Sequence, residues 1–392
     1  MISEFFVAVA IGAVFLTYAN GANDNFKGVA TLYGSGVLSY RAALIGATVA
    51  TWLGSVAALV VADQLVRSFS GKGLVDPAYL AEGAFPVAVA TGAALTVLLA
   101  TRLGLPISTT HALIGALVGA GLSTGSLQAE HLGTAFALPL AISPLLAATL
   151  AAILYTGGRI VRRHWGLEPD DCLCLEPAAA PVPLPVDVSG GGSVGAARVG
   201  AAARATALPA ALPALRFGNE DSCRVSVLNL PGVSAVDGVG ILHCLSGLLV
   251  SFARGLNDTP KIAGVLLIGT SLATGTQQWL IVAIASIMAL GGLLSARRVA
   301  QVMSEEITEL DEGRGLAANL VTSFLVLGAS KFGVPVSTTH VSCGALFGIG
   351  ASSGGGHIRT ILKILGAWII TLPIGASIAA IVYHLTQTIA KI

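Results

Sequence analysis

Apolar stretches long enough to cross a bilayer recur along this chain, at residues 41–62, 84–101, 133–157, 237–256, 276–296, 315–330 and 361–385. About 20 consecutive apolar residues span the hydrocarbon core as one helix. In that solvent every backbone N–H and C=O has to be paired inside the structure, so spans of this length predict an all-α polytopic bundle. Composition agrees, because 54% of the residues are hydrophobic and only 10% charged, against about 25% charged in soluble domains. The 20 acidic and 21 basic residues nearly cancel, which gives nucleic acid no basic surface to hold. Residues 5–19, FFVAVAIGAVFLTYA, have the apolarity of a signal h-region. No basic residue precedes them and they run directly into a polar motif, so 4–36 reads as one interrupted crossing of the mature protein.

Two shorter apolar stretches, 105–122 and 334–350, open on a proline and are rich in Gly, Ser and Thr. They predict broken or re-entrant elements, one in each half. Between the halves, residues 158–235 carry runs such as PAAAPVPLP and VSGGGSVGAA, which cannot bury enough apolar surface to fold alone. The expected organisation is a first membrane repeat at 1–157, a polar disordered linker at 158–235 and a second membrane repeat at 236–392. The five cysteines are Cys172, Cys174, Cys223, Cys244 and Cys343. Their spacing builds no disulfide framework, and Cys172-x-Cys174 lacks the second Cys or His pair that a metal centre needs.

The halves match at two places. Residues 21–28 read GANDNFKG and 255–264 read GLNDTPKIAG, with Asp24 and Asp258 in register at an offset of 234 residues. Residues 104–111 read GLPISTTH and 333–340 read GVPVSTTH, with His111 and His340 offset by 229. Orientation follows from the accumulation of basic residues on the cytoplasmic side. Arg41, Arg102, Arg159, Arg162 and Arg163 mark that side in the first half, and Arg297, Arg298 and Arg359 in the second. Five crossings per half then invert the second repeat, put the linker in the cytoplasm and both termini outside, and leave Lys331 as the one exception. Inverted repeats are a hallmark of secondary transporters.

Ionisable groups at bilayer depth are costly, so Asp24 and Asp258 are candidate functional residues. Gly21 and Gly255 are expected to let the backbone leave helical geometry and free carbonyls that join Asn23, Asp24, Asn257 and Asp258 around a hard cation such as sodium. Pro106 and Pro335 suit a helix start, and Ser108, Thr109, Thr110, Ser337, Thr338 and Thr339 are candidate donors to a small anion held between two helix N-termini. The plainer reading is that these hydroxyls only cap two short helices. His111 and His340 are expected to lie behind the site, either donating to nearby carbonyls or reaching the ligand directly. Lys27 and Lys261 stand one helical turn beyond each Asp, where each lysine can pair with that Asp or with the anion as charge compensation, and can also occupy the place of a cation. Arg254 is a further candidate anion contact or charge compensator.

The Gly-Ala-Asn-Asp and Pro-x-Ser-Thr-Thr-His signatures, with the polar central linker, resemble the PiT family of inorganic phosphate transporters over essentially all of the membrane portion. The resemblance implies cation-coupled phosphate symport by alternating access, with sodium in most members and protons in some bacterial ones, in a plasma (inner) membrane protein whose partners are phosphate, the coupling ion, lipid and, for some members, a second copy. It assigns Asn23, Asp24, Asn257 and Asp258 to ions and substrate, and the runs 108–110 and 337–339 to phosphate. It implies no cofactor, and no metal beyond sodium as the coupling ion. Lys27 stands where the family commonly has asparagine, Arg254 where histidine is frequent, and the helix at 41–62 lacks a glutamate that many members carry. Two alternatives stay open from the residues. A sulfate or related oxyanion permease would need the same cradle, although sulfate has no proton to donate to a carboxylate. A membrane hydrolase using Ser108 or Asp24 with His111 would need one asymmetric nucleophile–base pair, whereas every candidate here is duplicated.

Overall fold

A computed structural model describes residues 2–61, 63–166, 171–176, 214–219, 238–268 and 274–390. The first half comprises α1 (Ile2–Asp24), α2 (Ala30–Gly34), α3 (Tyr40–Val61), α4 (Asp63–Ser68), α5 (Pro77–Leu80), α6 (Ala84–Arg102), α7 (Thr109–Thr124), α8 (Ala129–Leu132) and α9 (Leu138–His164). Two strands, β1 (Asp171–Glu176) and β2 (Ala214–Asn219), pair antiparallel with Asp171 opposite Asn219. The second half comprises α10 (Gly238–Leu266), α11 (Thr274–Ser295), α12 (Arg297–Gln301), α13 (Glu312–Lys331), α14 (Thr338–Ser353) and α15 (Ile358–Ile389). Single π-turns at Gly133–Ala137 and Val302–Glu306 precede α9 and follow α12.

Among the described residues, six helical stretches are long and apolar enough to cross a membrane: Tyr40–Val61, Ala84–Arg102, Ala129–His164, Val239–Leu266, Gln278–Ser295 and Ile358–Ile389. Their outer faces keep apolar side chains uncovered at helical spacing, as with Ile45, Val49 and Leu53 on α3 and Leu138, Leu145 and Ile153 on α9. The interior instead holds Asn20, Asp24, Lys27, Arg254, Asp258 and Lys261, all buried. An apolar outside around a charged inside is stable only where the surrounding solvent is lipid.

The boundaries differ from the sequence reading in two places. Helix α9 runs on to His164 and ends on Arg162, Arg163 and His164, so residue 157 lies inside it. The stretch expected to be disordered contributes the β1–β2 pair, and the rest of 177–213 and 220–237 lies outside the described residues. Cys223 is among the latter.

Each Ser/Thr-rich helix packs on the long terminal helix of the opposite half. Gly115 and Gly119 of α7 meet Leu372 and Ala376 of α15, while Gly344 and Gly348 of α14 meet Pro144 and Ala148 of α9. These are two small-xxx-small faces of the kind that let membrane helices approach backbone to backbone. The first helices exchange partners in the same way: Tyr18 of α1 lies against Gly291 of α11, and Phe252 of α10 against Gly54 of α3.

Candidate functional site at the junction of the two halves

Both Ser-Thr-Thr-His helices start identically. Ser108 sits in extended conformation and its hydroxyl accepts the His111 N–H at 3.0 Å, and Ser337 accepts the His340 N–H at 3.1 Å. These two serines cap their helices. Pro106 and Pro335 lie three residues before the first helical residues, Thr109 and Thr338, in the extended segments that lead in. That segment geometry turns the Leu105, Ile107 and Val336 carbonyls toward side chains of the other motif instead of into a helix.

The threonines reach across. Thr109 Oγ1 donates to Asp24 Oδ2 at 2.9 Å, and Thr338 Oγ1 approaches Asp258 Oδ2 at 3.5 Å. Lys27 Nζ pairs with Asp24 Oδ1 and donates to Asn23 Oδ1 at 2.9 Å, Ile107 O at 2.7 Å and Thr339 Oγ1 at 2.6 Å. Lys261 Nζ donates to Asp258 Oδ1 at 3.3 Å, Val336 O at 2.6 Å and Thr110 Oγ1 at 2.9 Å. Thus each lysine holds the aspartate of its own motif and a threonine of the opposite half. Asn23 Nδ2 donates to Leu105 O and Thr101 Oγ1, both at 3.0 Å. Asn257 Nδ2 approaches Val336 O at 3.3 Å, while its Oδ1 accepts from Ser330.

Arg254 completes the centre. Its Nη2 donates to Asn20 Oδ1 at 2.6 Å, its Nη1 to Asn25 Oδ1 at 3.2 Å and Thr51 Oγ1 at 3.3 Å, and its Nε lies 3.7 Å from Asp258 Oδ2. Asn20 Nδ2 in turn contacts Asp24 Oδ2 at 3.0 Å and Asp258 Oδ2 at 3.3 Å, so one amide bridges the two carboxylates. The His111 and His340 rings meet edge to face with centroids 4.2 Å apart, each Nδ1 near a carbonyl of the opposite half, Trp368 O and Leu140 O. All the sequence-derived candidates therefore converge.

Two expectations are corrected. Gly21 and Gly255 do not break their helices. The Gly21 carbonyl accepts the Asn25 N–H at 3.1 Å, and α10 continues through Gly255 to Leu266. Both glycines serve close packing, because a Cβ on Gly21 would fall 2.0 Å from Met288 O and one on Gly255 2.0 Å from Thr51 O. The exposed carbonyls of the centre come instead from the Pro-containing segments. Asn20, Asn25 and Thr51 were missed by the sequence reading. Asn20 carried a usable signal, since it precedes Asp24 by four residues and so shares its helix face; Asn25 and Thr51 carried none.

The sequence profile of the phosphate transporter family matches residues 20–379. This chain belongs to that family. It is a multi-pass membrane transporter and not an enzyme, which removes the hydrolase alternative. The chloroplastic inorganic phosphate transporter 2-1 of Arabidopsis thaliana is 28% identical over 435 residues, covering 95% of this chain and 71% of that one. A probable low-affinity inorganic phosphate transporter of Bacillus subtilis is 25% identical, covering 98% and 97%. Among solved structures, a sodium-dependent phosphate transporter superimposes with a TM-score of 0.68 at 19% identity, over 98% of this chain and 100% of that one, a likeness of fold.

Proposed function

We propose that this transporter carries inorganic phosphate together with a cation, sodium or a proton, by alternating access between two inverted halves. One observation carries the reading: Lys27 and Lys261 each grip a threonine of the opposite half. An anion entering between Thr109, Thr110, Thr338 and Thr339 would then touch both halves at once, beside two helix N-termini whose free N–H groups and dipoles favour negative charge. Two aspartates, two lysines and one arginine give the centre a formal surplus of one positive charge, which suits an anionic cargo. Asn23 and Asn257 shape the wall, and Asp24 and Asp258 are the groups through which the coupling cation acts. Rocking of one half against the other would break the crossed lysine–threonine contacts and remake them around phosphate.

In this reading the protein resides in the plasma (inner) membrane with the β1–β2 linker in the cytoplasm and both termini outside. Dimerisation, which the resemblance implies, is part of the reading and is checked by cross-linking in the membrane. Counterflow of labelled phosphate in proteoliposomes tests the transport itself, with sulfate, arsenate, sodium and pH varied in turn. Exchange against phosphate and arsenate but not sulfate is expected, and exchange against sulfate alone would replace phosphate as cargo. Cysteines introduced singly at Ser126 and Ser193 should react with an impermeant thiol reagent from opposite faces; reaction from one face would end the inverted arrangement.

A further inference from the structure

The acceptors that surround the two buried ammonium groups are of one chemical kind. Around Lys27 Nζ stand a carboxylate oxygen of Asp24, the amide oxygen of Asn23, the backbone carbonyl of Ile107 and the hydroxyl of Thr339. Around Lys261 Nζ stand a carboxylate oxygen of Asp258, the Val336 carbonyl and the Thr110 hydroxyl. Carboxylate, carbonyl, amide and hydroxyl oxygens are the ligands by which proteins strip and hold a hard cation. At Lys27 four oxygens converge on a group that has three N–H bonds to give, so the enclosure has the form of a coordination shell more than of a hydrogen-bonding pocket. Neither lysine reaches water, with Lys27 4% and Lys261 1% exposed. A third fixed cation, Arg254, lies between the motifs among oxygens of Asn20, Asn25 and Thr51.

We infer that Lys27 and Lys261 are tethered stand-ins for coupling cations: each fills an oxygen cage at its Asn-Asp motif, so phosphate loads onto this transporter with no sodium at either motif. This rests on the phosphate-symport reading above. A free sodium ion could enter either cage only by evicting the ammonium or by sitting against it with like charge. The other titratable groups that face the cages are Asp24, Asp258 and Arg254, and from α14 His340 and Cys343, with His111 of α7 against His340. A lysine fixed in the chain returns with the carrier after each cycle, whereas a sodium ion would be delivered with the cargo. The same aspartates therefore cease to draw on the sodium gradient.

Three measurements decide it. Purified transporter in proteoliposomes under an imposed proton gradient is assayed for labelled phosphate uptake in sodium or in N-methylglucamine medium. Uptake by the unaltered protein should be the same in both, and a stimulation by sodium of roughly tenfold, equivalent to about 1.4 kcal/mol, would overturn the inference. Lys27→Asn, which empties the first cage of its ammonium and leaves the oxygens, should become sodium-dependent; transport by this variant that ignores sodium would also overturn it. The third arm needs no transport: sodium should raise the thermal midpoint of Lys27→Asn or Lys27→Ala and leave that of the unaltered protein in place, and the reverse pattern would overturn it. Where neither variant folds, the unaltered protein's response to sodium in the first and third arms decides alone. Absence of phosphate uptake by the unaltered protein in both media would instead refute the phosphate reading, with the thermal arm still reporting on the cages.

Discussion

The two Asn-Asp motifs occupy equivalent positions in their halves and yet are built on different backbones. In the first copy α1 ends at Asp24, a turn runs from Asn25 to Val29, and α2 resumes at Ala30. In the second copy α10 passes through Asn257, Asp258 and Lys261 without interruption, even though it is this copy that contains a proline, Pro260. The expected order is the reverse, because proline removes a helical N–H and crowds the preceding turn. Side-chain contacts account for the break in the copy without proline. Asn25 is held by Thr48 and Arg254, and Phe26 is stacked on Tyr40 and set edge-on to Tyr33. These contacts draw residues 25 and 26 out of the helical path. Two motifs with the same pattern thus deliver the same pair, Asp and Lys, from unlike local structures.

The sharpest difference lies where equivalent residues meet. Asn20 and Arg254 are separated by the same 234 residues as Asp24 and Asp258, and they bond to each other at 2.6 Å. His111 and His340, equivalent in the second motif, also meet. Two neutral imidazoles can face one another, whereas two arginines would repel and two asparagines would leave Asp258 with one fewer cation. Where equivalent positions meet, a pair of like charges is excluded, while a pair of imidazoles is accommodated.

The largest expected effect breaks the comparison at its carboxylates. Asp24→Ala strands Lys27, and Asp258→Ala strands both Lys261 and Arg254; each should abolish uptake and cost about 3–5 kcal/mol, as removal of one partner from a buried ion pair does. Adding Lys27→Ala to the first should recover more of the thermal midpoint than adding Lys261→Ala to the second, because there Arg254 has also lost the carboxylate of its ion pair. Equal recovery would mean that Arg254 does not depend on Asp258.

Exchanging the meeting pair gives the next effect. Asn20→Arg and Arg254→Asn should each lower the thermal midpoint, and the double exchange should restore part of it, with a coupling of about 0.5–3 kcal/mol for residues in contact. Strict additivity would show that the contact between them contributes nothing.

A smaller effect is expected at the crossed threonines. Thr339→Ala and Thr110→Ala each remove a buried hydroxyl, worth about 1–3 kcal/mol, or roughly tenfold in phosphate affinity per 1.4 kcal/mol. Counterflow half-saturation measures it, and unchanged affinity in both folded variants would count against a cargo site shared by the halves. The smallest effect belongs to the caps. Ser108→Ala and Ser337→Ala should each lower stability by about 0.5–2 kcal/mol with phosphate affinity retained, and a specific loss of affinity at either would return that serine to the cargo site.

What the sequence determined by itself was the class of solvent and the identity of the charged partners. Bilayer-length apolar runs leave the backbone no choice but to pair internally, and a duplicated Gly-x-Asn-Asp-x-x-Lys sets Asp and Lys three residues apart in either copy. Ser108 and Ser337, read from the sequence as candidate anion donors with capping as the alternative, do cap their helices. Contacts between distant segments were decided only by the tertiary structure: Lys27 with Thr339, Lys261 with Thr110, Arg254 with Asn20, and the glycines that proved to be packing faces. A helix period constrains which side chains share a face, but which neighbour that face meets depends on how the two halves cross. Gly21 shows the limit most clearly. In sequence a glycine beside an intramembrane acid permits a broken helix, and in the folded protein the Met288 carbonyl, 267 positions further along the chain, leaves no room for a Cβ there.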